Sequence, residues 1–161
     1  TVTNTPTVTP TPTHTSGPGP LLWINPPTST VTGIGATRTI IVTTSNITDV
    51  FGIEITMSYS PTILTVIDAN TAMVGTQVIP GPCPQASFVV TNAVSLVNGI
   101  IEYRVSQTLP TPPCNGGIVL YVVFECVGLG TSPLSVDDVL IAAIDYEIEH
   151  TVQDGVITCQ P

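Results

Sequence analysis

Between residues 51 and 59 the chain alternates strictly. Phe51, Ile53, Ile55, Met57 and Tyr59 are apolar, while Gly52, Glu54, Thr56 and Ser58 intervene. Period two is the signature of a strand with one face on a core and the other in water. Segment 63–68 continues the pattern with Leu64 and Val66 expected inward. Segment 98–106 opens on the turn pair Asn98-Gly99, then sets Ile101, Tyr103 and Val105 against Glu102, Arg104 and Ser106. Turn signals recur every eight to twelve residues after Pro20, a spacing that predicts an all-β sandwich of two antiparallel sheets. No helix of three turns is expected. Segment 134–149 (LSVDDVLIAAIDYEIE) is rich in β-branched residues and reads as two strands.

Segment 118–127 departs from simple alternation. Ile118, Leu120, Val122 and Phe124 make one apolar face, and Val119, Tyr121 and Val123 make a second. A strand apolar on both sides is covered on both sides. Either a loop folds over the outer face or a partner lies against it. The second reading makes Val119, Tyr121 and Val123 candidate subunit contacts.

The first twenty residues follow a different rule. Thr occupies every odd position from Thr1 to Thr15, with Val2, Asn4, Pro6, Val8, Pro10, Pro12 and His14 between them, before the breaker run SGPGP. The prolines lack the N–H that a central strand donates, so this arm is expected to be extended, pairing as an edge strand if it pairs at all. The expected organisation is an arm over 1–20 and a sandwich domain over 21–161. Thr-rich segments with Pro also read as O-glycosylated stalks. Thr1, Thr3, Thr5, Thr7, Thr9, Thr11, Thr13 and Thr15 are therefore candidate glycan sites, with a plain flexible linker as the alternative. Asn46-Ile47-Thr48 is an N-glycosylation triplet in an expected loop.

Composition narrows the function. Only 8% of the 161 residues are charged, against roughly 25% in ordinary soluble domains. The net charge is −9, and Arg38 and Arg104 are the only basic side chains. That excludes nucleic acid and anionic membrane surfaces as partners. Without Lys, neither Schiff-base chemistry nor a Lys–Asn isopeptide crosslink is open to the chain. The longest apolar run, IVLYVVF (118–124), is far shorter than the ~20 residues of a membrane span. With no initiator Met or leader, the sequence reads as mature or trimmed, and without an apolar N-terminal helix it does not read as a type IV pilin.

Cys83, Cys114, Cys126 and Cys159 contain no C-x-x-C pair and lie at no zinc-ligand spacing. They suggest two disulfides made in an oxidising compartment, hence a secreted, extracellular or cell-surface protein. Three connectivities are open. Cys83–Cys114 and Cys126–Cys159 are favoured: the first pair sits in the Pro-rich loops GPCPQ and TPPCN, and the second in β-like runs that could be neighbouring strands.

No catalytic motif is present. A glycosidase needs two carboxylates across a cleft, whereas Asp145, Glu147 and Glu149 at period two are expected to share one solvated strand face. No cofactor is expected, and Asp137, Asp138 or Asp145 are weak calcium candidates. His14 and His150 are isolated.

VFGIEITMSYSPTILTVID (50–68) resembles the central signature of bacterial cohesin-like domains: a Gly, an alternating strand ending in Ser-Tyr, a Pro turn and a Leu-x-Val strand. VTGIGATRTIIVTTSN (31–46) is similar to their opening strands. Asn98 to Ile101, the run from Gly117 to Phe124 and Asp154 to Ile157 resemble later landmarks, so the likeness spans about residues 22–160. It implies a flattened jelly-roll sandwich of about nine strands without enzyme activity. Cohesins proper bind dockerin modules through one sheet face, and related domains serve in surface adhesion or assembly.

Two functions follow. The first is a filament subunit. Twenty extended residues reach about 65 Å, beyond a domain roughly 37 Å across. The arm could then add as a strand to the next copy, with Val2 and Val8 entering the acceptor, giving a head-to-tail homopolymer. The second is a recognition module for a dockerin or a polysaccharide, tethered by a glycosylated linker, with Trp23 and Tyr121 as test positions. Trp23 also reads as a core residue. The filament is the first expectation.

Overall fold

A computed structural model describes residues 18–161. The chain forms β1 (Leu21–Asn25), β2 (Thr28–Thr32), β3 (Thr37–Ser45), β4 (Gly52–Ser58), β5 (Leu64–Val66) and β6 (Ile79–Pro80). It continues with β7 (Phe88–Ser95), β8 (Ile100–Ser106), β9 (Gly117–Cys126), β10 (Gly130–Ala142), β11 (Thr151–Gln153) and β12 (Gly155–Gln160). No helix occurs among the described residues. Twelve strands form where about nine were expected; the shortest are β6 and β11 with two and three residues, and β5, which falls in the segment 63–68 expected from its alternation.

Two sheets stack. Sheet one runs β11-β1-β3-β9, and the far edge of β9 is shared in tandem by β5 and β6. Sheet two runs β2-β12-β10-β4-β8-β7. Most neighbours are antiparallel, but β1 pairs β11 and β2 pairs β12 in parallel. The inward halves of the alternating strands meet between the sheets: Leu22, Ile24, Ile40, Val42, Leu120, Val122 and Phe124 face Ile53, Ile55, Met57, Ile101, Tyr103 and Val105. Each side chain fully buried this way contributes about 1.5–3 kcal/mol.

The sharp turn before β8 needs a glycine. Gly99 has φ +65°, and a Cβ there would lie 2.2 Å from the carbonyl oxygen of Tyr59, an approach that only hydrogen permits.

Both expected disulfides form, Cys83–Cys114 and Cys126–Cys159. The reason for the second differs from the one expected. Cys126 ends β9 in sheet one, while Cys159 lies on β12 in sheet two. The bond spans the sandwich instead of joining neighbouring strands. Cys83–Cys114 ties the segment beside β9, where Cys83 N donates to Ile118 O, to the loop where Val50 and Cys114 exchange backbone hydrogen bonds.

Segment 134–149 is not two strands. β10 runs unbroken to Ala142, and the chain then turns, with Ala143 N donating to Tyr146 O and Ile148 N to Ile141 O. Buried Ile148 anchors this turn. Asp145, Glu147 and Glu149 are exposed in a loop and share no strand face.

Tyr103 lies in the core with no exposure, and its hydroxyl has no hydrogen-bond partner among the described residues; the Tyr59 hydroxyl is in the same position. Burial pushes the Tyr103 phenol up to about 12 and raises Tyr59 as well. A phenol that holds its proton more tightly when folded adds stability below pH 10, and this is lost as pH rises from 10 to 12. Urea unfolding midpoints measured from pH 8 to 12 should therefore fall above pH 10. Tyr103→Phe should flatten that fall while changing stability at pH 7 by less than about 1 kcal/mol, because it removes an unpaired buried hydroxyl.

Candidate functional site

The outer face of sheet two is built from the polar halves of its alternating strands. Backbone register places these side chains in four rungs across β10, β4, β8 and β7. The first is Ala142, Gly52, Ser106 and Phe88. The second is Leu140, Glu54, Arg104 and Thr91. The third is Asp138, Thr56, Glu102 and Ala93, and the fourth is Ser135, Ser58, Ile100 and Ser95. Two bulges shape the ends, one between Val136 and Asp138 and one between Val89 and Thr91. The second turns Val90 out beside Phe88.

The first rung is low because Gly52, Ser106 and Ala142 are small. Leu140, Phe88, Val90 and Arg104 rise around it and enclose a shallow groove of about 330 Å³. Leu140, Phe88 and Val90 are exposed apolar side chains at its walls. Arg104 stands at the centre. Its Nε lies 3.5 Å from Glu54 Oε2 and its Nη2 lies 3.4 Å from Glu102 Oε1. The other basic side chain, Arg38, bonds Ser29 Oγ on another part of the molecule. One cation thus sits among Glu54, Glu102 and Asp138, with apolar contacts at one end. An open, mixed face of this kind suits a macromolecular surface better than a small substrate.

The outer face of sheet one is different. It carries Thr39, Thr43 and Thr37 on β3, with Ile41 beside Tyr121 and Trp23 beside Thr43. Trp23, Ile41, Tyr121 and Val123 are half-buried. Trp23 is therefore neither a core residue nor an exposed platform; Leu22 and Ile24 take the inward positions of β1.

Among the sequence-derived contact candidates, Tyr121 and Val123 lie on this outer face, but Val119 does not. The register slips between Val42 and Thr43, opposite Ile118 and Leu120, and the extra residue, Val119, is turned in with only 1% of its surface exposed. It cannot touch a neighbour. Asn46 is exposed in the loop after β3 at φ 54°. Asp137 and Asp138 are exposed at the β10 bulge, and no group of three His, Cys, Asp or Glu side chains gathers among the described residues. His150 Nδ1 lies 2.9 Å from Ile148 O. Val2, Val8 and the Thr residues from Thr1 to Thr15 fall outside the described residues. The groove residues Phe88, Val90 and Leu140 had no sequence signal as a group, because only strand register brings them together.

No family model matches the sequence, and no curated protein matches it. Solved structures do. A non-cellulosomal cohesin from the archaeon Archaeoglobus fulgidus superposes with a TM-score of 0.68 at 17% identity, covering 89% of this chain and 93% of that one. A type I cohesin–dockerin complex from Clostridium thermocellum gives 0.68 at 16% identity, covering 88% and 99%. A type II cohesin from the cellulosome of Acetivibrio cellulolyticus gives 0.64 at 18% identity, covering 87% and 95%. The chain has the cohesin fold, a jelly-roll β-sandwich, as the signature at 50–68 implied.

Proposed function

We propose that this chain is a non-catalytic, extracellular recognition module that binds a dockerin-type protein through the outer face of sheet two. The observation that carries this reading is the cohesin fold across nearly the whole described sandwich, including likeness to a chain solved in complex with a dockerin. The order of the two functions expected from sequence is thereby reversed, and the recognition module takes first place.

The four-rung face supports the assignment. It offers apolar walls for an anchor side chain and a central Arg104 that can leave Glu54 or Glu102 to pair with a carboxylate on a partner. The two aromatic positions weighed for a polysaccharide, Trp23 and Tyr121, are half-buried on the opposite sheet. The two disulfides fit an oxidising, extracellular setting. Among the described residues no helix is long and apolar enough to cross a membrane. In this reading the Thr residues of segment 1–20 and Asn46 carry glycans.

Charge and shape on one face should control affinity. In isothermal titration against dockerins, Arg104→Glu and Leu140→Asp should each weaken binding at least tenfold, and Thr39→Glu on the other sheet should leave it unchanged. Equal loss from all three, or none from the first two, would move the site elsewhere.

A further inference from the structure

The sandwich is open at one mouth. β7 is the last strand of sheet two, and its outer edge is only partly met. Val94 N donates to Thr76 O at 2.8 Å. The Asn92 side chain then takes the place of a strand, accepting from Val78 N and donating to Val78 O, each at 2.9 Å. Beyond Val78 the chain leaves β7 for the other sheet, where Ile79 and Pro80 pair with Tyr121 and Leu120 of β9. From Thr91 back to Phe88, no described backbone meets the outer edge of β7.

The consequence is a core position without a complete core. Val89 is paired with buried Val105 and so points between the sheets, yet it is 49% exposed. The space beside it measures about 580 Å³ and is lined by Met73, Val78, Ile79, Val89 and Val90, with no charged side chain. Gln77, also on the lining, is 6% exposed and its Oε1 has no donor among the described residues. An apolar mouth beside an unpaired strand edge accepts an added strand.

We propose that this mouth takes the N-terminal segment 1–17 of a second copy of the chain, as a strand added to β7. Four observations select that occupant. First, the segment carries no Asp, Glu, Lys or Arg. Two bodies of net charge −9 repel, so an uncharged arm entering an uncharged mouth is the contact that charge permits.

Second, its prolines are in phase. Pro6, Pro10 and Pro12 are all even, and Thr fills the odd positions through Thr15. Successive N–H groups of a strand point to opposite edges. When the Thr N–H groups face β7, every proline turns its missing donor to the open side, where none is needed. In an arm laid parallel to β7 this phase turns Val2 and Val8 toward the mouth and the Thr side chains away, because the β7 residues that offer their N–H to the open edge, such as Val94, are the inward ones.

Third, the arm leaves the body at Pro20, whose carbonyl accepts from Thr151 N at 3.0 Å, on the β1–β11 side of sheet one. The mouth lies at the opposite, β6 side. Root and acceptor on opposite sides make a heterologous, head-to-tail contact that passes from copy to copy. Fourth, seventeen extended residues span about 55 Å, more than the roughly 37 Å expected across the body.

Sedimentation velocity on the full chain tests this. The wild type should assemble as concentration rises. Val89→Glu and, separately, Met73→Glu should stay monomeric; both side chains line the mouth but not the groove on the outer face. A Val2→Asp/Val8→Asp double variant should stay monomeric too. Mixing Val89→Glu, which keeps its arm, with the arm variant, which keeps its mouth, should give a discrete dimer and nothing larger. A wild type monomeric at all concentrations overturns the proposal, as does assembly that survives both mouth substitutions. Since dockerin affinity is read on other residues, its failure would leave this result unaffected.

Discussion

Replacing Cys126 and Cys159 together by Ala is expected to lower unfolding free energy by about 3–4 kcal/mol, read as a shift of the urea midpoint at unchanged slope. The bond closes a loop with a sequence separation of 33, and a crosslink of that length removes much of the freedom of the unfolded chain. Its position adds to the effect. β9 is central in sheet one and β12 lies between β2 and β10 in sheet two, so the bond joins the two layers at buried positions. The equivalent change at Cys83 and Cys114 should cost a similar amount by loop length, with a separation of 31. It should also loosen the segment that leads from β6 along β9. Reducing agent should then produce both losses together.

Truncation of Phe124 should cost as much. Phe124→Ala is expected to destabilise by about 3–5 kcal/mol in the same unfolding assay. Phe124 is 1% exposed and meets Tyr59 edge to face, with ring centroids 5.2 Å apart. It fixes the corner where β9 passes the turn after β4. The loss combines transfer of a large ring, a cavity that rigid strands on both sides cannot close, and the edge-to-face contact itself. Val123→Ala, next in sequence but on the half-buried outer face, should cost much less. A loss at Val123 equal to that at Phe124 would mean that the outer face of β9 is covered as fully as the inner.

Strands with one wet face were legible in the sequence because their side chains repeat every second residue. Gly52–Ser58 and Ile100–Ser106 are the clear cases, and their inward residues are those the alternation named. The disulfide pairing was legible from loop and strand context, although sheet membership was not: nothing local in YVVFECV or GVITC says which layer each run joins. Segment 134–149 misled because β-branched residues mark strand propensity without marking where the strand stops. The stop is set by Ile148 folding back onto Ile141. Val119 misled for a related reason, since a one-residue bulge inverts the face of the residue it inserts. The groove around Arg104 depends on register across four strands, which no window of sequence contains. The open mouth depends on where Thr76–Pro80 parts from β7, a property of two sheets at once.

The most direct test of the recognition module is a displayed library of dockerin modules, including that of the Clostridium thermocellum complex, probed with the wild-type chain and with Arg104→Glu. The account predicts at least one dockerin that binds the wild type and is lost on the variant. A library without binders, or binders indifferent to Arg104→Glu, would contradict it.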